Sequence, residues 1–163
     1  MAGFHKYLSV VTKMFSDTGW AFEHKSAWIG VFDAEFLGAY KKIGKWARQA
    51  PVVSFYHQIM DEFSIVCQAL IRFTGQDLET EVRVKGALLG ILFGVAECAR
   101  QGFFRIELDN ELASALRNRL KPVLSQGSLK LPLTTLREQL LGVAVDANAQ
   151  GRVEIVKIAM ALD

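Results

Sequence analysis

Cysteine, proline and histidine are scarce in this chain, with two, three and three residues among 163. Two cysteines that stand 31 positions apart, Cys67 and Cys98, make no CxxC and cannot staple a small secreted scaffold, so reduced, buried thiols are expected. With so little proline and no Pro/Gly/Ser-rich linker, nothing divides the sequence. Pro51, Pro122 and Pro132 fall where apolar periodic stretches stop or start, and residues 1–163 read as a single helical domain. A strong excess of one charge is also missing. Nineteen basic against 17 acidic residues give +2, which makes a dedicated nucleic-acid binder an unfavoured reading.

Long apolar runs are absent as well. The most lipid-like stretch, Gly86 to Ala96, is bounded by Lys85 and Glu97 and is far shorter than the about 20 residues a spanning helix needs. It reads instead as a helix buried on all sides. The N-terminal segment is basic and amphipathic, but Lys13 interrupts its apolar part, no small-residue cleavage site follows and no arginine is present. The expectation is a cytoplasmic protein without a targeting peptide.

What the chain does contain is apolar residues, 51% of the total, including 11 Phe, 3 Trp and 3 Tyr. Their spacing is helical. Trp28, Phe32, Phe36, Tyr40, Ile43 and Ala47 recur every three or four positions and predict a helix over about 26–48. Val52, Phe55, Ile59, Phe63, Val66, Leu70 and Phe73 do the same behind Pro51, with Gln58, Asp61, Glu62, Gln68 and Arg72 opposite, so this helix should keep one wet face until Gly75 ends it. A helix over about 77–100 follows, with acids in its first turn and Arg100 in its last, as the helix dipole favours. Further helices are expected over 4–15, from an Asp109 cap to Leu120, from a Thr135–Glu138 capping box to Ala147, and over 153–162. The fold class is therefore all-α, a bundle of six or seven helices around a central Gly-rich apolar one. A small β-hairpin between 103–106 and 153–156 stays open, since short apolar runs are ambiguous.

Gly86, Gly90 and Gly94 recur at intervals of four inside a helix, each at a propensity cost of about 1 kcal/mol relative to alanine. Close approach of another backbone would offset that cost. The helix could belong to this domain, to a second copy, or give way to a ligand cleft in which Trp28, Phe32, Phe55, Phe63 and Phe93 line the wall. Lys41, Lys42, Lys45 and Arg48 form a basic patch. Residues 1–50 carry seven basic and four acidic side chains, residues 51–102 four and six, a polarity that could steer an acidic partner or simply complement a helix C-terminus.

Chemistry-bearing motifs are missing. No HExxH, Asp-rich loop, GxSxG, P-loop or GxGxxG occurs, and His57 with Asp61 at i+4 reads as a solvated pair, so no metal, cofactor or catalytic residue is expected. A site assembled by the fold alone stays open. Residues 89–102 and 140–151 share Gly-Val-Ala, then alanine, then Gln-Gly. That arrangement resembles the paired helical halves of tellurite-resistance TerB-like domains. Arg100 and Asn148 stand where that family has acids, so its metal binding does not carry over, and alanine-rich helices ending in glycine are too common to place the chain there. The leading functional expectation is a non-catalytic interaction module, an adaptor, regulatory or assembly protein that pairs with another protein or with itself. The motive is an apolar and aromatic content that strains what 163 residues can bury alone. The alternatives are a helical small-molecule or acyl-chain binder and, behind it, an electrostatic binder of nucleic acid or a lipid surface.

Overall fold

The computed structural model describes residues 25–49, 52–73, 78–101, 117–119, 121 and 133–160. Among them lie five α-helices: α1 (Lys25–Gln49), α2 (Val52–Phe73), α3 (Leu78–Arg100), α4 (Leu133–Val143) and α5 (Ala149–Met160). A 3-10 turn, Ala144–Asp146, joins the last two, residues 117–119 and 121 are also helical, and no strand occurs among the described residues. The all-α expectation therefore holds. The expected helices over 4–15 and from Asp109 lie outside the described residues, apart from the helical positions 117–119.

The first three helices match their apolar spacing to within two residues at each end. In α1, Phe32, Phe36, Ala39, Tyr40 and Ile43 are buried along one face, while in α2 the buried face runs through Ile59, Met60, Phe63, Val66 and Cys67. Asp61, Gln68 and Arg72 stay on the wet side of α2, with Gln58 and Glu62 half-buried. Helix α3 has no wet face along most of its length: every residue from Leu88 to Ala99 is buried. It contacts each of the other four α-helices and is the centre of one continuous core.

The interface of α3 with α1 is the most extensive. Gly86 lies against Phe32, Gly90 against Phe36 and Ala39, and Gly94 against Ile43. These numbers rise together on both helices, so α1 and α3 run parallel and α2 provides the return between them. Phe36 stacks on Tyr40 at 6.2 Å between ring centroids and meets Phe93 at 6.0 Å, filling the layer around Gly90. Lys42 bridges to Glu62 at 3.1 Å and ties α1 to α2, and Arg83 joins α3 to α1 through Glu35 at 3.0 Å.

The C-terminal third departs from expectation in three places. Helix α4 already runs at Leu133, so Thr135 is inside it and does not open a capping box. It also ends at Val143, four residues before Ala147, because the chain tightens into the 3-10 turn and Ala147 is extended at φ −85° and ψ 154°. Helix α5 then starts before Gly151, capped by the Asn148 side chain, whose Oδ1 accepts from the Gly151 N–H at 2.7 Å. Residues 153–156 are helical, which removes that half of the alternative hairpin; residues 103–106 lie outside the described residues. The Gly-Val-Ala echo is consequently not a structural repeat. Gly94 sits mid-helix against Ile43, whereas Gly142 precedes a helix end and has open space beside it.

Candidate interaction surfaces

The glycine ridge of α3 is occupied from within the chain. A Cβ on Gly86 would stand 2.7 Å from the Phe32 carbonyl oxygen, one on Gly90 would overlap the Phe36 carbonyl, and one on Gly94 would reach Ile43 Cβ at 3.0 Å. The backbone of α1 is seated where a ligand or a second copy would have to lie. Phe32, Phe63 and Phe93 are fully buried in the core, while the side chains of Trp28 and Phe55 lie outside the described residues. Gly151 repeats the device at the other edge of α3, where its Cβ would meet the Ala99 carbonyl oxygen at 2.6 Å.

Lys41, Lys42, Lys45 and Arg48 are all exposed on α1. Lys42 bonds Glu62 and lies 5.8 Å over the Trp46 ring, an exposed arrangement worth about 1 kcal/mol or less. Lys41 and Lys45 extend the same positive sign along the helix, and no acid of α1 stands among them.

The buried charged groups among the described residues are paired. Lys85 is buried and bridges Glu81 at 3.1 Å. Its burial pulls the ammonium below the usual lysine range, and the Glu81 carboxylate opposes that shift. Glu97, also buried, accepts from Arg100 Nε on both oxygens at 2.9 Å, from Arg100 Nη2, and from Gln101 Nε2 at 2.7 Å. Glu154 is buried with Lys157 Nζ at 3.7 Å. Both thiols are buried and pushed up to about 12 by desolvation, with Glu97 adding to the rise at Cys98 and nearby Arg119 and Arg48 countering it at Cys67 and Cys98. At neutral pH they are protonated and poor nucleophiles. His57 and Asp61 are both exposed on α2. No group of three or more His, Cys, Asp or Glu side chains that could hold a metal ion occurs among the described residues. No described helix is long and apolar enough to cross a membrane.

One surface escaped the sequence reading. Of the six large apolar side chains exposed among the described residues, five lie between 141 and 160: Leu141, Val145, Val153, Val156 and Met160. Ile65 on α2 is the other. The apolar positions Val153, Val156, Ala159 and Met160 predict a helix here without saying which side faces the core. In the structure the inner face is Gly151, Glu154, Ile155, Ile158 and Ala159, and the valines and Met160 point outward. The signal was present in the sequence, since α5 carries two apolar faces, but a glutamate on one of them made it the less obvious core.

Comparison with known protein families, characterised proteins and solved structures finds no match to this chain. The residues alone therefore carry the functional argument.

Proposed function

We propose that the protein is a non-catalytic protein–protein interaction module, an adaptor, regulatory or assembly protein that associates with itself and needs no cofactor. The observation that carries this reading is that five of the six large apolar side chains exposed among the described residues, Leu141, Val145, Val153, Val156 and Met160, belong to the C-terminal helices and the turn between them, with Val153, Val156 and Met160 on one side of α5. Single exposed apolar residues are ordinary on any protein, whereas several large ones along one side of a helix mark a surface that another molecule covers. The paired buried charges and the protonated thiols supply no activated nucleophile or base, which suits a binding role better than a catalytic one. Two free, buried cysteines also fit a reducing compartment such as the cytoplasm.

The alternative reading, a small-molecule or acyl-chain binder, needed room beside the glycine ridge, and the backbone of α1 fills that place. Light scattering coupled to size exclusion over a range of concentrations, with native mass spectrometry of the same peak, separates the two. A defined oligomer without additional mass is expected. A strict monomer that retains no protein partner would overturn the interaction reading, and a monomer carrying a bound small molecule would put the ligand reading in its place.

A further inference from the structure

We propose that the outward face of α1 over residues 41–48 is a docking surface for a short acidic segment of another protein. The inference goes beyond self-association and gives the module a second surface with a different partner. At 3.6 residues per turn, Lys41, Lys45 and Arg48 fall within an arc of about 60°, opposite the buried line of Phe32, Phe36, Ala39 and Ile43. All three are exposed, and Lys42 stands exposed at their edge. From Lys41 to Arg48 the helix axis rises about 10 Å. Lys41 and Lys45 form no ion pair with another described residue, and the Lys42 ammonium already donates to a carboxylate, Glu62 of α2, at 3.1 Å. That contact is the one the partner's acids would repeat along the helix.

The length of the patch and its borders select the occupant. A helix that lies on a lipid surface buries large apolar side chains in it, and α1 carries none of those exposed among the described residues. Its outward face continues towards the N-terminus as Gly30, Ala34 and Gly38. A nucleic-acid strand brings a long row of phosphates and needs cations along its track. Here the cations cover about two turns, Glu62 borders them on α2, and the nearest charges before them on α1 are Asp33 and Glu35. A second copy supplies no complement, because among the described residues no helix has two exposed carboxylates three or four positions apart. A foreign acidic segment with carboxylates spaced by four and three positions matches the patch in length, spacing and sign.

An NMR titration of the isotope-labelled full chain tests the docking. The probe is a helical alanine–glutamine peptide bearing glutamates at i, i+4 and i+7, added at low ionic strength. Amide shifts confined to residues around 38–49 are expected, and they should shrink as salt is raised. Lys41→Glu together with Lys45→Glu should raise the dissociation constant of the peptide about tenfold or more, whereas Arg117→Glu, a charge reversal elsewhere on the surface, should leave it within about twofold. Lys41→Gln together with Lys45→Gln is the second variant if the reversed charges lose helicity by circular dichroism. No shift at millimolar peptide, or shifts that lie elsewhere and survive the double variant, would overturn the docking face. Tighter binding of a single-stranded or duplex oligonucleotide, or of vesicles made of equal parts phosphatidylcholine and phosphatidylserine, lost in the same double variant, would overturn the acidic protein as occupant. The oligomeric state is read separately by light scattering, so failure here leaves the self-association reading standing, and a monomer there leaves this one.

Discussion

The carbonyl oxygen of Phe32 lies 2.7 Å from the point that a Cβ on Gly86 would occupy, so the parallel pair α1 and α3 touches backbone to backbone at this glycine. Alanine is the better helix former by about 1 kcal/mol, but here that gain is outweighed by a clash with main-chain atoms that cannot rotate away. Gly86→Ala and Gly90→Ala should each lower stability by about 2 kcal/mol net, read as a fall in urea midpoint at unchanged slope. Gly94→Ala meets only Ile43, whose Cβ is 3.0 Å away and part of a side chain, and should cost less. Equal losses at all three positions would show that α1 does not approach as closely at Gly86 and Gly90 as described.

Gly30 and Gly38 invert the prediction. Both lie inside α1, and a Cβ on either meets nothing within 4 Å. With no clash to offset it, the propensity gain should appear in full, so Gly30→Ala and Gly38→Ala should each stabilise by about 0.5–1 kcal/mol and raise the thermal midpoint. A destabilising Gly38→Ala would mean that another helix covers this face of α1 in solution.

The thiols set a pH dependence whose sign follows from burial. Cys67 and Cys98 keep their protons in the folded state until about pH 12, whereas in the unfolded chain they ionise near 9. The folded state therefore binds more protons between these values, and their contribution is complete below pH 9 and is lost as pH rises towards 12. The slope is about 1.4 kcal/mol per pH unit for each thiol. Lys85 works the other way below 10.5, because its folded-state value is lowered: as pH rises through that value towards 10.5, the cost of burying the ammonium is relieved. Comparison with Cys98→Ala isolates one thiol. Urea unfolding at pH 8, 9 and 10 should show a shallower loss above pH 9 in the variant, and identical slopes would remove burial of Cys98 as the cause. Ellman's reagent should likewise label neither thiol in the native protein and both in urea.

How much of this was legible in the sequence depends on which force positions each residue. The first three described helices and the burial of 88–99 follow from apolar spacing, because a stretch such as Val82 to Ala99 with so few polar positions has no side to give to water. The glycines at 86, 90 and 94 announced a close helix contact, but only the fold could say that the approaching helix was α1. At the C-terminus, spacing predicts the helix but not its buried face. Val153, Val156 and Met160 make a good apolar stripe, and so do Ile155, Ile158 and Ala159; the choice between them is made by Gly151, which admits the Ala99 carbonyl of α3 and turns its own side of α5 inward. Glu154 is carried inside with that face. No local pattern reveals such a choice, since it is tertiary packing that selects one face of a helix apolar on both.

Glu97 and Arg100 provide the last prediction. A carboxylate in the final turn of a helix faces the negative end of the dipole, and burial adds a desolvation cost. At Glu97 both are offset by Arg100, which donates to the two carboxylate oxygens, and by the Gln101 amide. Removing the cation leaves the carboxylate buried with one strong donor fewer, whereas removing the charge from Glu97 leaves a neutral amide beside a guanidinium that is partly solvated, 25% exposed against 6% for the Glu97 side chain. Arg100→Ala should therefore destabilise by about 3 kcal/mol and Glu97→Gln by about 1 kcal/mol. In the double variant the buried charge is gone, so its loss should fall short of the sum of the two by about 1 kcal/mol or more. Denaturant unfolding of all four proteins measures this. Strict additivity would show that Arg100 stabilises the end of α3 independently of Glu97, through the helix dipole alone.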